Sequence, residues 1–98
     1  MSEFDYKQLD ELIHSRVRLA VMAVLVSVEE AQFTFLRDKV NATDGNLSAN
    51  LRKLEAAGCI SAVKTFVRKR PVSSYRITSK GQRMFKAYLA CLERILGA

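Results

Sequence analysis

The chain has 98 residues, 49% of them hydrophobic, and its 16 Lys and Arg against 10 Asp and Glu give a formal charge of +6. That length fits one domain with a real core, and the longest uninterrupted apolar run, residues 19–26, is far short of the ~20 residues that a membrane span requires. Cys59 and Cys91 are too few and too isolated for a disulfide framework and fit a reducing compartment, the cytoplasm, while the opening Ser2-Glu3-Phe4-Asp5 lacks the basic and apolar regions of a signal peptide.

Residues 1–14 carry four acids and one base and form an amphipathic flank, in which Phe4, Leu9, Leu12 and Ile13 predict a short helix. Ser15 is placed to cap a helix over 16–28, apolar almost all round from Leu19 onward and therefore expected to be a buried central element. Glu29 and Glu30 end the apolar run in a loop. Leu36 and Val40, at i and i+4, predict a two-turn helix capped by Thr34, and Asn41-Ala42 then leads into residues 43–58. There Leu47, Leu51 and Leu54 recur at i, i+4, i+7, Thr43 can cap the start, and Gly58 can end the helix in the left-handed conformation. Two short helices joined so tightly make a helix-turn-helix over 34–58, with the second helix pushed outward.

That second helix turns Asn46, Ala49, Arg52 and Lys53 away from its leucine stripe. Amides and cations are the groups that read base edges and hold phosphates: Arg can donate twice to guanine O6 and N7, and Asn can pair with adenine N6 and N7. Ser48 is equally a surface filler or a contact. Asn50 lies nearer the leucine stripe on a helical wheel, so a polar rim residue against the second helix weighs as much as a DNA contact.

Between Glu55 and Glu93 there is no acid, while Lys64, Arg68, Lys69, Arg70, Arg76, Lys80, Arg83 and Lys86 supply eight bases. A one-signed stretch of this kind points to a polyanion. Within it, β-favouring residues predict two strands, with Arg68, Lys69, Arg70 and the sole proline, Pro71, at the hairpin tip. Tyr75 is read as core. Thr78 can cap a last helix over 79–96, which carries two apolar seams about 100° apart: Phe85, Leu89, Leu92, Leu96 and Met84, Tyr88, Cys91, Ile95. A domain this small is not expected to cover both, so the second seam is read as a helix–helix contact between two copies.

The order helix, helix-turn-helix, basic hairpin, long helix resembles the small winged-helix transcriptional regulators of bacteria and archaea, similar to the MarR and ArsR families. The resemblance covers residues 12–96 and is carried by residues 43–60, by Tyr75-Arg76-Ile77-Thr78-Ser79-Lys80-Gly81 and by Ser15-Arg16-Val17-Arg18-Leu19, as in a compact subgroup of about a hundred residues. It implies an α+β, mostly α domain spanning 1–98: flank 1–14, helix-turn-helix 34–58, wing 59–77 and dimerisation helix 79–96. It further implies a homodimeric regulator that binds double-stranded DNA, with repressor favoured over activator. By position, Thr43, Asn46, Ser48, Ala49, Asn50, Arg52 and Lys53 would meet the major groove, and Arg68, Lys69 and Arg70 the flanking backbone or minor groove. Relatives often have histidine where Asn50 stands. No cysteine–histidine cluster matches the metal-sensing relatives, so no metal or cofactor is expected.

Enzyme readings find no glycine-rich phosphate loop, no metal-ligand spacing and no nucleophile with a neighbouring base; His14 alone makes no triad. The alternative function is a winged-helix module whose basic face docks an acidic protein without sequence-specific DNA binding, since fold does not fix function. RNA binding is disfavoured by the lack of an aromatic cluster for stacking.

Overall fold

The computed structural model describes residues 9–97. In chain order it contains α1 (Arg16–Ser27), β1 (Ala31–Gln32), α2 (Phe33–Val40), α3 (Asp44–Ala56), β2 (Ile60–Val67), β3 (Arg70–Ile77) and α4 (Ser79–Leu96). This is the arrangement that the resemblance implies, a mostly helical domain with a β-hairpin wing between the helix-turn-helix and a long last helix.

One apolar cluster holds these elements together. Val21, Met22 and Leu25 of α1 meet Leu36 of α2, Leu47, Leu51 and Leu54 of α3, Ile60 of β2, and Phe85, Tyr88 and Cys91 of α4. Full burial of a leucine is worth about 1.5–3 kcal/mol, so the α3 stripe alone accounts for a large share of what fixes that helix to the domain. The caps of α3 and α4 follow the sequence reading. Thr43 Oγ1 accepts from Asn46 N at 3.1 Å, and Thr78 Oγ1 accepts from Gly81 N at 3.0 Å. Gly58 ends the α3 turn at φ +79°, where a side chain would be strained.

Several expectations are corrected. Residues 11–13 form a turn rather than a helix, and the first part of the expected N-terminal helix, Phe4 included, lies outside the described residues. Ser15 stands at the N-cap of α1 but its hydroxyl makes no cap hydrogen bond. Helix α1 is not buried on every side, since Val26 is 51% exposed. Helix α2 starts at Phe33 with Gln32 at its N-cap, so Thr34 is inside the helix.

The sheet holds three strands, in the order β1-β3-β2, all antiparallel. Strand β1, just after the expected Glu29-Glu30 loop, pairs Ala31 with Tyr75 and Gln32 with Ser74. Pro71 is not at the hairpin tip. It lies within β3 opposite Phe66, and the tip is Arg68-Lys69. A proline is tolerated there because β1 has already ended at that level, leaving β3 an edge on that side. The apolar alternation of β2 is imperfect for a similar reason. Only Ile60 is over the core, and from Ser61 to Val67 the strand runs out into solvent with only Val63 half-buried.

Candidate nucleic-acid interface

Helix α3 buries its leucine stripe and exposes the opposite side. Thr43, Asn46, Arg52 and Lys53 are exposed, Ser48 and Ala49 are half-buried, and Asn50 is buried. Arg52 lies along the helix with Nη1 donating to Ser48 Oγ at 2.9 Å, so the guanidinium is held against the surface by a neighbour one turn back. Helix α2 is tied to the start of α3 by Arg37, whose Nη1 meets Asp44 Oδ1 at 3.0 Å and whose Nε meets Asp38 Oδ1 at 3.3 Å. These carboxylates, Asp44 above all, hold Arg37 more firmly protonated than usual.

The open question over Asn50 has a geometric answer. Its Oδ1 accepts from Arg18 Nη1 of α1 at 2.7 Å, and its Nδ2 donates to Asn46 O at 2.8 Å and Asn46 Oδ1 at 2.6 Å. Asn50 is therefore a buried bridge, packed toward α1 rather than α2. Arg18 also donates from Nε to the Leu12 carbonyl, fastening the turn before α1. Sequence reasoning missed Arg18 as part of this site. The available signal was a cation next to the apolar run of α1, which stays half-buried only with acceptors around it.

The wing continues the basic surface. Arg68 (φ 53°) and Lys69 (φ 66°) form a two-residue loop between the paired Val67 and Arg70. Positive φ at both central residues is the signature of a type I′ turn, which normally takes Asn-Gly. Here two long cations occupy it, at a backbone cost of roughly 1–2 kcal/mol per residue. Among the described residues, none of Arg52, Lys53, Arg68, Lys69 and Arg70 has a carboxylate partner; the ion pairs there are those of Arg37 and the Arg76–Glu30 pair. Five cations without internal neutralisation face solvent on the outward helix and the hairpin tip, a surface suited to phosphates.

A family model described as a winged helix DNA-binding domain matches residues 17–96. The chain belongs to this family. A protein of Methanocaldococcus jannaschii that carries no assigned function is 37% identical over 79 residues, covering 81% of this chain and 86% of that one. Among solved structures, a transcriptional regulator homologue from Pyrococcus horikoshii superposes with a TM-score of 0.76 at 27% identity, covering 92% and 94% of the two chains. The S. aureus MepR–DNA complex superposes at 0.77 with 14% identity, covering 93% and 74%, which shows a shared fold.

On this winged helix, α4 treats its seams differently from the sequence reading. Tyr88 and Cys91 of the seam expected at a dimer contact are buried within their own chain, and Met84 and Ile95 are half-buried against the same core. Tyr88 Oη lies 2.8 Å from His14 Nδ1, and Met84 Sδ lies 3.4 Å from Cys59 Sγ, whose thiol burial pushes up in pKa. Exposed apolar groups on α4 belong to the other seam: Leu89 at 39% and Leu96 at 77%. Phe85 of that seam is buried and Leu92 is half-buried against the core. Burial of Tyr75, half-covered against the core, holds its phenol above the ordinary range. Among the described residues, no three His, Cys, Asp or Glu side chains are grouped to hold a metal, and no helix is long and apolar enough to cross a membrane.

Proposed function

We propose that this protein binds double-stranded DNA sequence-selectively as a homodimeric regulator of transcription in the cytoplasm, acting as a repressor. The carrying observation is the pairing of an outward α3 face, bearing Asn46, Arg52 and Lys53, with a wing tip of unneutralised cations on the same small domain. The DNA in the MepR complex, a protein of the same fold, supports the reading by likeness. In this reading α3 enters the major groove and Arg52 and Asn46 reach base edges, while Arg68, Lys69 and Arg70 grip the flanking backbone. Leu89 and Leu96 give a second copy an apolar strip to cover, and two-fold symmetry would then space the half-sites by ~10 base pairs or a multiple.

Selection of bound duplexes from a random pool tests the reading. A two-fold-related motif is expected, with Arg52→Ala weakening binding and blurring one base position, and Arg68→Ala weakening all sequences alike. Each phosphate contact should add about −0.9 to the log–log salt slope. Recovery of no preferred sequence would instead favour a wing that docks an acidic protein.

A further inference from the structure

We propose that Arg18 and Asn50 fix the direction of the Asn46 amide, so that the recognition helix offers its DNA a hydrogen-bond donor at this position. The proposal rests on the DNA-binding reading above and deepens it. A guanidinium only donates, whereas an asparagine amide has one accepting end and one donating end. The atom of Asn50 that faces Arg18 Nη1 at 2.7 Å must therefore be its oxygen. That turns the Asn50 amino group toward Asn46, where it meets two acceptors, the main-chain O at 2.8 Å and Oδ1 at 2.6 Å. The Asn46 amide is thereby set with Oδ1 inward. Its Nδ2 has no hydrogen-bond partner among the described residues, and Asn46 is exposed on the first turn of α3. Direction passes from a half-buried cation on α1, through a buried amide, to an exposed amide on α3.

The consequence is chemical. An unconstrained asparagine reads adenine by accepting from N6 and donating to N7. With Oδ1 engaged inward, Asn46 reads as a donor, and the base edge offering two major-groove acceptors is guanine, through O6 and N7. Cytosine, which presents the N4 donor there, is rejected. Arg18 and Asn50 are positioning residues in this account, because neither needs to touch DNA.

Selection from a random duplex pool with the full chain provides the test, each variant being checked for its fold by circular dichroism. The wild type is expected to favour guanine at one base pair per half-site, and Asn46→Ala to lose the preference at that pair alone. In Asn50→Asp one carboxylate oxygen pairs with Arg18 and the other faces Asn46, whose amide must turn and send Oδ1 outward. Preference at that pair should then move by about tenfold away from guanine toward the bases that present a donor, cytosine through N4 or adenine through N6, the size of one good base contact, with neighbouring positions unchanged. A uniform loss of affinity with guanine still preferred would overturn the proposal. If Asn50→Asp does not fold, Arg18→Met removes the donor-only partner and should flatten discrimination at that pair; unchanged discrimination would equally overturn it. A wild type that selects no sequence removes the DNA reading and this inference together, whereas a wild type that selects a site the variants leave unaltered removes only the inference.

Discussion

Gly81, in the first turn of α4, lies directly against the main-chain carbonyl of Cys59 at the entrance to β2. A Cβ on Gly81 would overlap the Cys59 oxygen and stand 3.0 Å from both the Cys59 carbonyl carbon and Ile77 Cγ1. Helix propensity favours alanine over glycine by ~1 kcal/mol in a helix, but overpacking against a backbone typically costs about 1–3 kcal/mol and occasionally more. The clash is with main chain that is itself held by Thr78, so relief requires moving the helix. Gly81→Ala is therefore expected to lower stability by about 2 kcal/mol in urea unfolding. A more stable variant would mean that α4 can lift off β2 cheaply.

The two threonine caps should not be equivalent. Thr43 makes one cap bond at an exposed helix start. Thr78 accepts from Gly81 N and also directs its hydroxyl to the carbonyls of Gly58 at 2.6 Å and Cys59 at 3.0 Å. Thr43→Ala is expected to cost ~1 kcal/mol. Thr78→Ala should cost roughly 1 kcal/mol more, because the Gly58 carbonyl loses its hydroxyl partner at a part-buried junction, while the Cys59 carbonyl keeps the Thr78 main-chain N–H. Thr78→Ser, which keeps the hydroxyl, should recover most of the loss. Equal melting-point shifts for the two alanine variants would contradict this ranking.

At the wing tip, stability and binding are set against each other. Replacing Arg68-Lys69 by Asn-Gly supplies the residues that a type I′ turn prefers and should stabilise the fold by about 1–2 kcal/mol. The same change removes two cations, so DNA affinity should fall and the salt slope should flatten by up to about two units. Thermal melts and salt-titrated mobility shifts read the two effects separately. A variant that is both less stable and equally tight would refute the trade.

The Glu30–Arg76 pair, Oε1 to Nε at 2.8 Å, connects the start of the sheet to β3. The Arg76 hydrogen bond holds the Glu30 carboxyl below the usual carboxylate range. Because the folded pKa lies below the unfolded one, the folded state binds fewer protons there. The stability it supplies is complete above the unfolded pKa and is lost as pH falls through the folded pKa. The melting-point gap between wild type and Glu30→Gln should be small, since the pair is solvent-exposed, and should close on acidification. A gap independent of pH would show that the charge of Glu30 contributes nothing.

For the dimer, Leu89→Glu and Leu96→Glu are expected to shift sedimentation toward monomer while leaving the melting curve of the fold nearly unchanged, since both side chains are exposed in the single chain. Tyr88→Glu instead places a carboxylate at a site only 3% exposed and should unfold the domain. A wild type that sediments as a monomer would end the dimer reading.

Local chemistry made much of this legible in advance. The 4-3 spacing of Leu47, Leu51 and Leu54, the hydroxyls of Thr43 and Thr78, and the glycine at 58 each act within a few residues of their own position, so α3, its limits and its outward side could be read along the chain. The wing was legible from its composition, because an acid-free run of cations has no neighbouring charge to hide it. Strand β1 was not legible: two residues have no periodicity, and Ala31-Gln32 is a strand only because Tyr75 and Ser74, more than forty positions on, supply its partners. Pro71 was misplaced for the same reason, since where an edge begins depends on where another strand stops.

The sequence by itself determined which faces exist, because helical and strand periodicity is a property of adjacent residues. It could show two apolar seams on α4 and a polar side on α3. Only the tertiary structure decided what covers each one: that Tyr88 and Cys91 close over their own core while Leu89 and Leu96 are left out, and that Asn50 turns inward to Arg18. Those choices rest on contacts between residues far apart in the chain, where burial and the donor-only chemistry of a guanidinium outweigh anything a neighbour can specify.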